Sequence, residues 1–186
     1  MNHHIIKLID KLDHISISDK RKILLKPLKD YVIMKIKQKM DINLIFICTL
    51  NSRRSQFSQL WAKVISDYYG QTINSFSGGI EVTECNKRTI QSLKRIGFEA
   101  ETREGKNPHH NINYHEKKNP VTLYSKLYND PPNPKNNFAA ILTCTHADLN
   151  CPFVYGAEKR ISLPYEDPKA YDNIPEERKI YDEISN

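Results

Sequence analysis

Cys48-Thr49-Leu50-Asn51-Ser52-Arg53-Arg54-Ser55 joins the two most regular patterns in the chain. A near-continuous apolar run, Ile42 to Ile47, leads into it, and a stretch with Phe57, Leu60, Trp61, Val64, Ile65 and Tyr68 on one face follows. The run has the composition of a strand buried on both faces, and the stretch, Gln56 to Tyr69, has the periodicity of a helix. A loop joining such a strand to a helix N-terminus offers an anion its backbone N–H groups and the positive end of the helix dipole. The same field favours thiolate over thiol, which makes Cys48 a candidate nucleophile. Arg54 can grip two oxygens of a tetrahedral oxyanion bidentately, as a lysine cannot. Ser55 can donate to the Cys48 sulfur, cap the helix, or do both. Asn51 tolerates the left-handed backbone that such a loop needs, and Thr49, Leu50, Ser52 and Arg53 complete the candidate oxyanion ring. Arg53 reads two ways, as added positive field or as a solvated charge. The bland alternative for the whole stretch is a core thiol at Cys48 and a surface charge at Arg54; its place between strand and helix weighs against that.

Working outward, the chain from Asp41 onward alternates strand and helix. Ile73 to Ser77 reads as a second strand ended by Gly78 and Gly79, Lys87 to Ile96 as a helix ended by Gly97, Phe138 to Thr143 as a third strand and Arg160 to Leu163 as a fourth. Strands separated by helices imply a parallel α/β sheet with helices on both faces, and ligands of such sheets bind beyond the carboxyl ends of the strands, where Cys48 lies. Residues 1–40 read as a helical extension in which Ser18 is an N-cap and Pro27 kinks or divides the second helix. Residues 41–186 form the α/β domain. Within it, residues 98–137 are a long polar excursion punctuated by prolines, with only Val121 to Tyr128 reading as a short element; a lid, a docking loop and a disordered insertion are all open readings. Pro175 to Ile184 reads as a terminal helix.

A length of 186 residues suits one domain with an appended element. The formal charge of +6 comes from lysines and arginines spread among acids, which implies a solvated basic surface or mild attraction of anions and no nucleic-acid partner. No segment approaches the roughly 18 apolar residues of a membrane span, and no signal-peptide core begins the chain. A cytoplasmic protein without membrane contact is expected, so Cys48, Cys85, Cys144 and Cys151 are core thiols or chemistry, not a disulfide scaffold.

Two further constellations carry chemistry. Cys144 ends the third strand and Cys151 follows seven residues later, in Thr143-Cys144-Thr145-His146-Ala147-Asp148-Leu149-Asn150-Cys151-Pro152. If the third strand neighbours the first, Cys144 approaches Cys48, and three thiols at one site suggest a thiol-disulfide relay. The alternative is a core residue and a loop thiol. His146 and Asp148 invite a metal reading, but without a second cysteine pair no metal is expected. Asp167 precedes Pro168 after the fourth strand; proline stiffens the loop and sets Asp167 extended, as a general acid over the anion site requires. An ordinary turn is the alternative, and Glu166 and Asp172 are competing acids. Cys85 reads as packing, and His109 and His110 as loop residues.

Together these stretches resemble the low-molecular-weight protein tyrosine phosphatase superfamily and, within it, the thioredoxin-coupled arsenate reductases. The resemblance runs from about Asn43 to Asp182 through the Cys48–Ser55 loop, Gly78-Gly79, Cys144 to Pro152 and Asp167-Pro168. It implies a flavodoxin-like four-stranded parallel sheet, with Cys48 as nucleophile, Arg54 as oxyanion clamp, Ser55 as thiolate stabiliser and Asp167 as general acid. The reductase branch further implies a Cys48/Cys144/Cys151 relay, no bound cofactor and a thioredoxin-like reductant. Three departures stand out. The family loop usually reads Cys-x-Gly-Asn-x-Cys-Arg-Ser, and here Leu50 replaces the glycine and Arg53 the second cysteine. An acidic residue that some reductases carry in the following helix is Gln59 here, so a cation site is not implied. Lys169 and Ala170 stand where tyrosine phosphatases place aromatics. Arsenate reduction is therefore the first expectation and phosphate-ester hydrolysis the second. An oxyanion-binding regulatory module, left catalytically poor by crowding at Leu50, is the third.

Overall fold

The computed structural model describes residues 1–150 and 153–185. The chain begins with helices α1 (His3–Leu12) and α2 (Asp19–Gln38). Asn2 caps α1 by accepting from the His4 N–H at 2.9 Å, and Ile5 and Ile9 plug into a core shared with later helices. Ser18 caps α2 as its sequence indicates, accepting from the Arg21 N–H at 3.3 Å. Pro27 does not divide α2: the helix runs through it. Pro27 and Ile23 are both exposed, so the carbonyl that loses its helical donor at Ile23 can turn to water.

Strand β1 (Ile42–Cys48) leads through the loop into α3 (Arg54–Tyr68), followed by β2 (Ile73–Gly79) and α4 (Lys87–Arg95). Strands β3 (Glu99–Arg103), β4 (His109–Asn113) and β5 (Val121–Leu123) come next, then β6 (Phe138–Leu142), α5 (Thr145–Asn150), β7 (Ala157–Ser162) and α6 (Glu177–Ser185). The main sheet is the expected one, four parallel strands in the order β2-β1-β6-β7. Its two faces follow the alternation of β1. Leu44 and Phe46 pack with Tyr31 and Leu28 of α2, whereas Ile45 and Ile47 pack with Ala147 of α5 and Val154. The α2 face is also pinned electrostatically, since buried Lys35 pairs with Glu158 of β7 at 2.5 Å and Tyr31 donates to the same carboxylate.

Two expectations change. Gly78 and Gly79 do not end the second strand but complete it, with Gly79 opposite Cys48. Residues 98–137 are not structureless: β3, β4 and β5 form a three-stranded antiparallel sheet. His110, Ile112, Val121 and Leu123 face inward from otherwise polar strands, so period-two alternation exists there but over segments too short to stand out. The paired histidines accordingly belong to β4. His110 is buried, which pushes its pKa down, and His109 stacks on Tyr124. Among the described residues no helix is long and apolar enough to cross a membrane.

Candidate active site

The sheet delivers Cys48 to the carboxyl end of β1, beside Gly79 of β2 and one residue beyond the Ile47–Leu142 pairing with β6. The loop after it is held from outside by its carbonyls. Thr49 accepts from the Ile80 and Glu81 N–H groups, Leu50 from Ser125 Oγ at 2.8 Å, Asn51 from Gln56 Nε2 at 2.7 Å, and Ser52 from the Asn86 N–H. Among the described residues, the N–H groups of Leu50, Asn51, Ser52 and Arg53 donate to no protein acceptor. Satisfied carbonyls and available N–H donors on one short loop at a helix N-terminus are the electrostatic signature of an anion cradle.

Asn51 has φ of 47°, the left-handed conformation expected of it, and is fully buried. Its Nδ2 donates to Ser55 Oγ at 2.9 Å, its Oδ1 accepts from the Lys126 N–H at 3.0 Å, and Ser55 Oγ lies 3.1 Å from Cys48 Sγ. Because Ser55 accepts from Asn51, its hydroxyl proton is left to point at the sulfur. Leu50 is not among the residues with positive φ, so its side chain imposes no backbone strain on the loop. Gly79 is required from below. A Cβ there would lie 2.8 Å from the Thr49 carbonyl oxygen and 2.9 Å from the Asn51 nitrogen.

Arg54 opens α3 and donates to Asp167 Oδ2 at 2.6 Å and to the Tyr165 carbonyl at 3.3 Å. Asp167 in turn caps the 3-10 turn Pro168–Tyr171 by accepting from the Lys169 N–H at 3.0 Å. Its competitors are engaged elsewhere, Glu166 with the Tyr171 hydroxyl and Asp172 with Arg53. Arg53 is not a solvated charge: it donates to Asp172 Oδ2 at 2.8 Å and to the Tyr181 hydroxyl at 2.7 Å.

Cys144 is buried in the same apolar cluster as Cys48. Its sulfur accepts from the Ala147 N–H at 3.3 Å and lies 3.5 Å from Thr49 Oγ1, which also contacts His146 Nδ1 at 3.2 Å. Cys48, Cys85 and Cys144 are all free thiols, and Cys151 lies outside the described residues. Burial, reinforced by Glu84, pushes the Cys85 thiol far up, as suits packing. Asp148 is occupied by Arg160 and Ser162, and among the described residues no group of three or more His, Cys, Asp or Glu is placed to hold a metal ion. Sequence reasoning missed the segment Tyr124–Lys126, which buttresses the loop at Leu50, Asn51 and Gln56, and it missed Tyr181. Both are remote in sequence; the only trace was the reading of Val121 to Tyr128 as an ordered element within the polar excursion.

No protein-family model matches the chain. Over 139 residues, 75% of this chain, it is 30% identical to arsenate reductase 2 of Staphylococcus epidermidis and 29% identical to an arsenate reductase of Brevibacillus brevis, covering 87% and 85% of those proteins. In fold it is similar to a low-molecular-weight protein tyrosine phosphatase from T. tengcongensis, with a TM-score of 0.52 over 78% of this chain and 90% of that one, at 15% identity. With its Cys48–Ser55 loop between strand and helix and its parallel sheet, the chain belongs to the arsenate reductase family, built on the low-molecular-weight protein tyrosine phosphatase fold.

Proposed function

We propose that the protein reduces arsenate to arsenite by a thiol relay in a reducing, cytoplasmic setting. The Leu50–Arg53 N–H groups and Arg54 bind the oxyanion, and the Cys48 thiolate, held by Ser55, attacks arsenic. An As–O bond breaks, and the oxygen leaves as water with a proton from Asp167. Cys144, as thiolate, then attacks the Cys48 sulfur; the S–S bond forms, and the S–As pair returns to arsenic, which leaves as arsenite. Cys151 attacks Cys144, freeing the Cys48 thiolate, and a thioredoxin-like dithiol reduces the Cys144–Cys151 disulfide. No bound cofactor enters this scheme. The observation that carries the reading is the buried Cys144 sulfur within 3.5 Å of Thr49 Oγ1, the residue next to Cys48.

Phosphate-ester hydrolysis is the second reading, and the Arg54–Asp167 pair favours it because nucleophile, clamp and acid suffice for that reaction. The third, a catalytically poor binding module, rested on crowding at Leu50 and loses that support. A paired assay of arsenate-dependent oxidation of thioredoxin and of aryl phosphate hydrolysis separates them, on wild type, Cys48→Ser, Cys144→Ser, Cys151→Ser and Asp167→Asn. The relay predicts that Cys144→Ser and Cys151→Ser abolish multiple turnover of arsenate. Hydrolysis without reduction, insensitive to both substitutions, would establish the phosphatase instead.

A further inference from the structure

Consecutive loop residues Arg53 and Arg54 bind the two ends of one short turn. Asp167 is the N-cap and Asp172 the C-cap of Pro168–Tyr171, and the turn is closed internally by Ala170 N–H to Asp167 O and Asp172 N–H to Lys169 O, each at 3.1 Å. Holding one end therefore holds the other. The two attachments differ in environment. The side chain of Asp167 is 40% exposed, whereas those of Arg53 and Asp172 are 11% and 16% exposed and Tyr181 is fully buried. Arg53, Asp172 and Tyr181 close a ring, since Tyr181 accepts from Arg53 Nε and donates to Asp172 Oδ1 at 2.6 Å. Arg88 of α4 stands 3.7 Å from Asp172 and pairs with Glu177 of α6 at 2.9 Å.

The exposed attachment is the one that the reaction must break. A substrate oxyanion draws on the same guanidinium that holds Asp167, and Asp167 must carry a proton to act as an acid, which removes the ion pair. We propose that Arg53 is a positioning residue of the reaction: through Asp172 and Tyr181 it keeps the turn, and so the Asp167 carboxyl, over the site after Arg54 has left for the substrate. The inference rests on the reading of Asp167 as general acid. It also gives the Arg53 departure from the family loop a purpose, because a cysteine at that position reaches neither Asp172 nor Tyr181.

The test is a double-mutant cycle on turnover of arsenate, or of an aryl phosphate if that is what the enzyme turns over. Arg53→Ala is expected to lower kcat roughly 10–100-fold, the usual consequence of a misplaced catalytic group, with KM within about twofold of wild type. Asp172→Asn, which keeps the shape but removes the charge, is expected to act in the same direction, and Arg53→Lys to recover part of the loss. In an Asp167→Asn background Arg53→Ala should change kcat little, because the group it positions is gone. Independent, multiplying effects of Arg53→Ala and Asp167→Asn would overturn the inference alone, as would a raised KM at unchanged kcat. Wild-type kcat in Asp167→Asn would overturn the acid reading and the inference with it. Should Arg53→Ala not fold, Asp172→Asn in both backgrounds decides the same question.

Discussion

Arg54 and Asp167 are bound to one another at 2.6 Å, so the two groups assigned to the substrate are each other's counter-ion until it binds. The cradle is therefore electrically balanced at rest, and an incoming oxyanion competes with Asp167 for the same guanidinium. This arrangement makes the roles of the two residues separable by mutation. Asp167→Asn removes the proton but leaves Arg54 free for the anion, so kcat should fall about 10²–10⁴-fold with KM unchanged or lower. Arg54→Lys loses the bidentate grip, so KM should rise as kcat falls. Steady-state kinetics of both variants check this pattern.

The thiolate side of the loop depends on Asn51. Asn51→Ala leaves the Lys126 N–H without its acceptor, which costs about 1–3 kcal/mol, and places a residue with a Cβ and no local amide at φ of 47°. It also frees the Ser55 hydroxyl to turn away from sulfur. Slower alkylation of Cys48 by iodoacetamide at neutral pH and a lower urea midpoint are the expected outcomes. Asn51→Asp keeps the acceptor for Lys126 but buries an unpaired carboxylate, so it should restore neither the stability nor the thiol reactivity.

Gly79→Ala tests the floor of the cradle. The added methyl would lie within 3 Å of three backbone atoms, the Glu81 and Thr49 carbonyl oxygens and the Asn51 nitrogen, none of which can swing aside. Overpacking of this kind costs about 1–3 kcal/mol, read as a Tm lower by roughly 2–4 °C for each kcal/mol in a chain of this size. Phosphate or arsenate affinity by calorimetry should fall as well, because the shift is transmitted to the Leu50–Arg53 N–H groups proposed to bind the anion.

Lys35 and Glu158 give the sheet a pH-dependent brace. Lys35, and after it Tyr31, hold the Glu158 carboxyl below its ordinary value of 4.5. A depressed carboxyl contributes stability that is present above the ordinary value and lost as pH falls through the lower folded value. Lys35→Met should therefore be less stable than wild type by about 1–2 kcal/mol at pH 7, near the low end for bonds to charged groups because Glu158 is partly exposed. The gap should close below pH 4.5 in denaturant titrations.

Much of this was legible in the sequence, for physical reasons. Strands such as Ile42–Ile47 and Phe138–Leu142 are buried on both faces and therefore apolar almost throughout, with Asn43 the exception, and the stripe from Phe57 to Tyr68 repeats with the helical period, so both announce themselves. Strands β4 and β5 bury only every second residue over short lengths, β3 buries none, and all three hide among polar neighbours. Helix boundaries shifted by a residue or two, and Pro27 was accommodated because its turn faces water. What could not be read was pairing at long range. Nothing near Arg53 announces Asp172, 119 residues away, and the buttress from Tyr124 to Lys126 acts through the Tyr124 carbonyl and the Lys126 N–H, which any sequence carries, and through one serine hydroxyl, that of Ser125.

Attack of Cys144 on the sulfur of a Cys48 adduct is the step on which the proposed reduction turns, and Cys151→Ser isolates it. Reduced Cys151→Ser, mixed with arsenate without any reductant, is digested under acid and mapped by mass spectrometry while arsenite is counted. One arsenite per chain and a Cys48–Cys144 disulfide, then no further turnover, are the expected result. Arsenite released with Cys144 still a thiol, or no arsenite from a protein that binds arsenate, would contradict it.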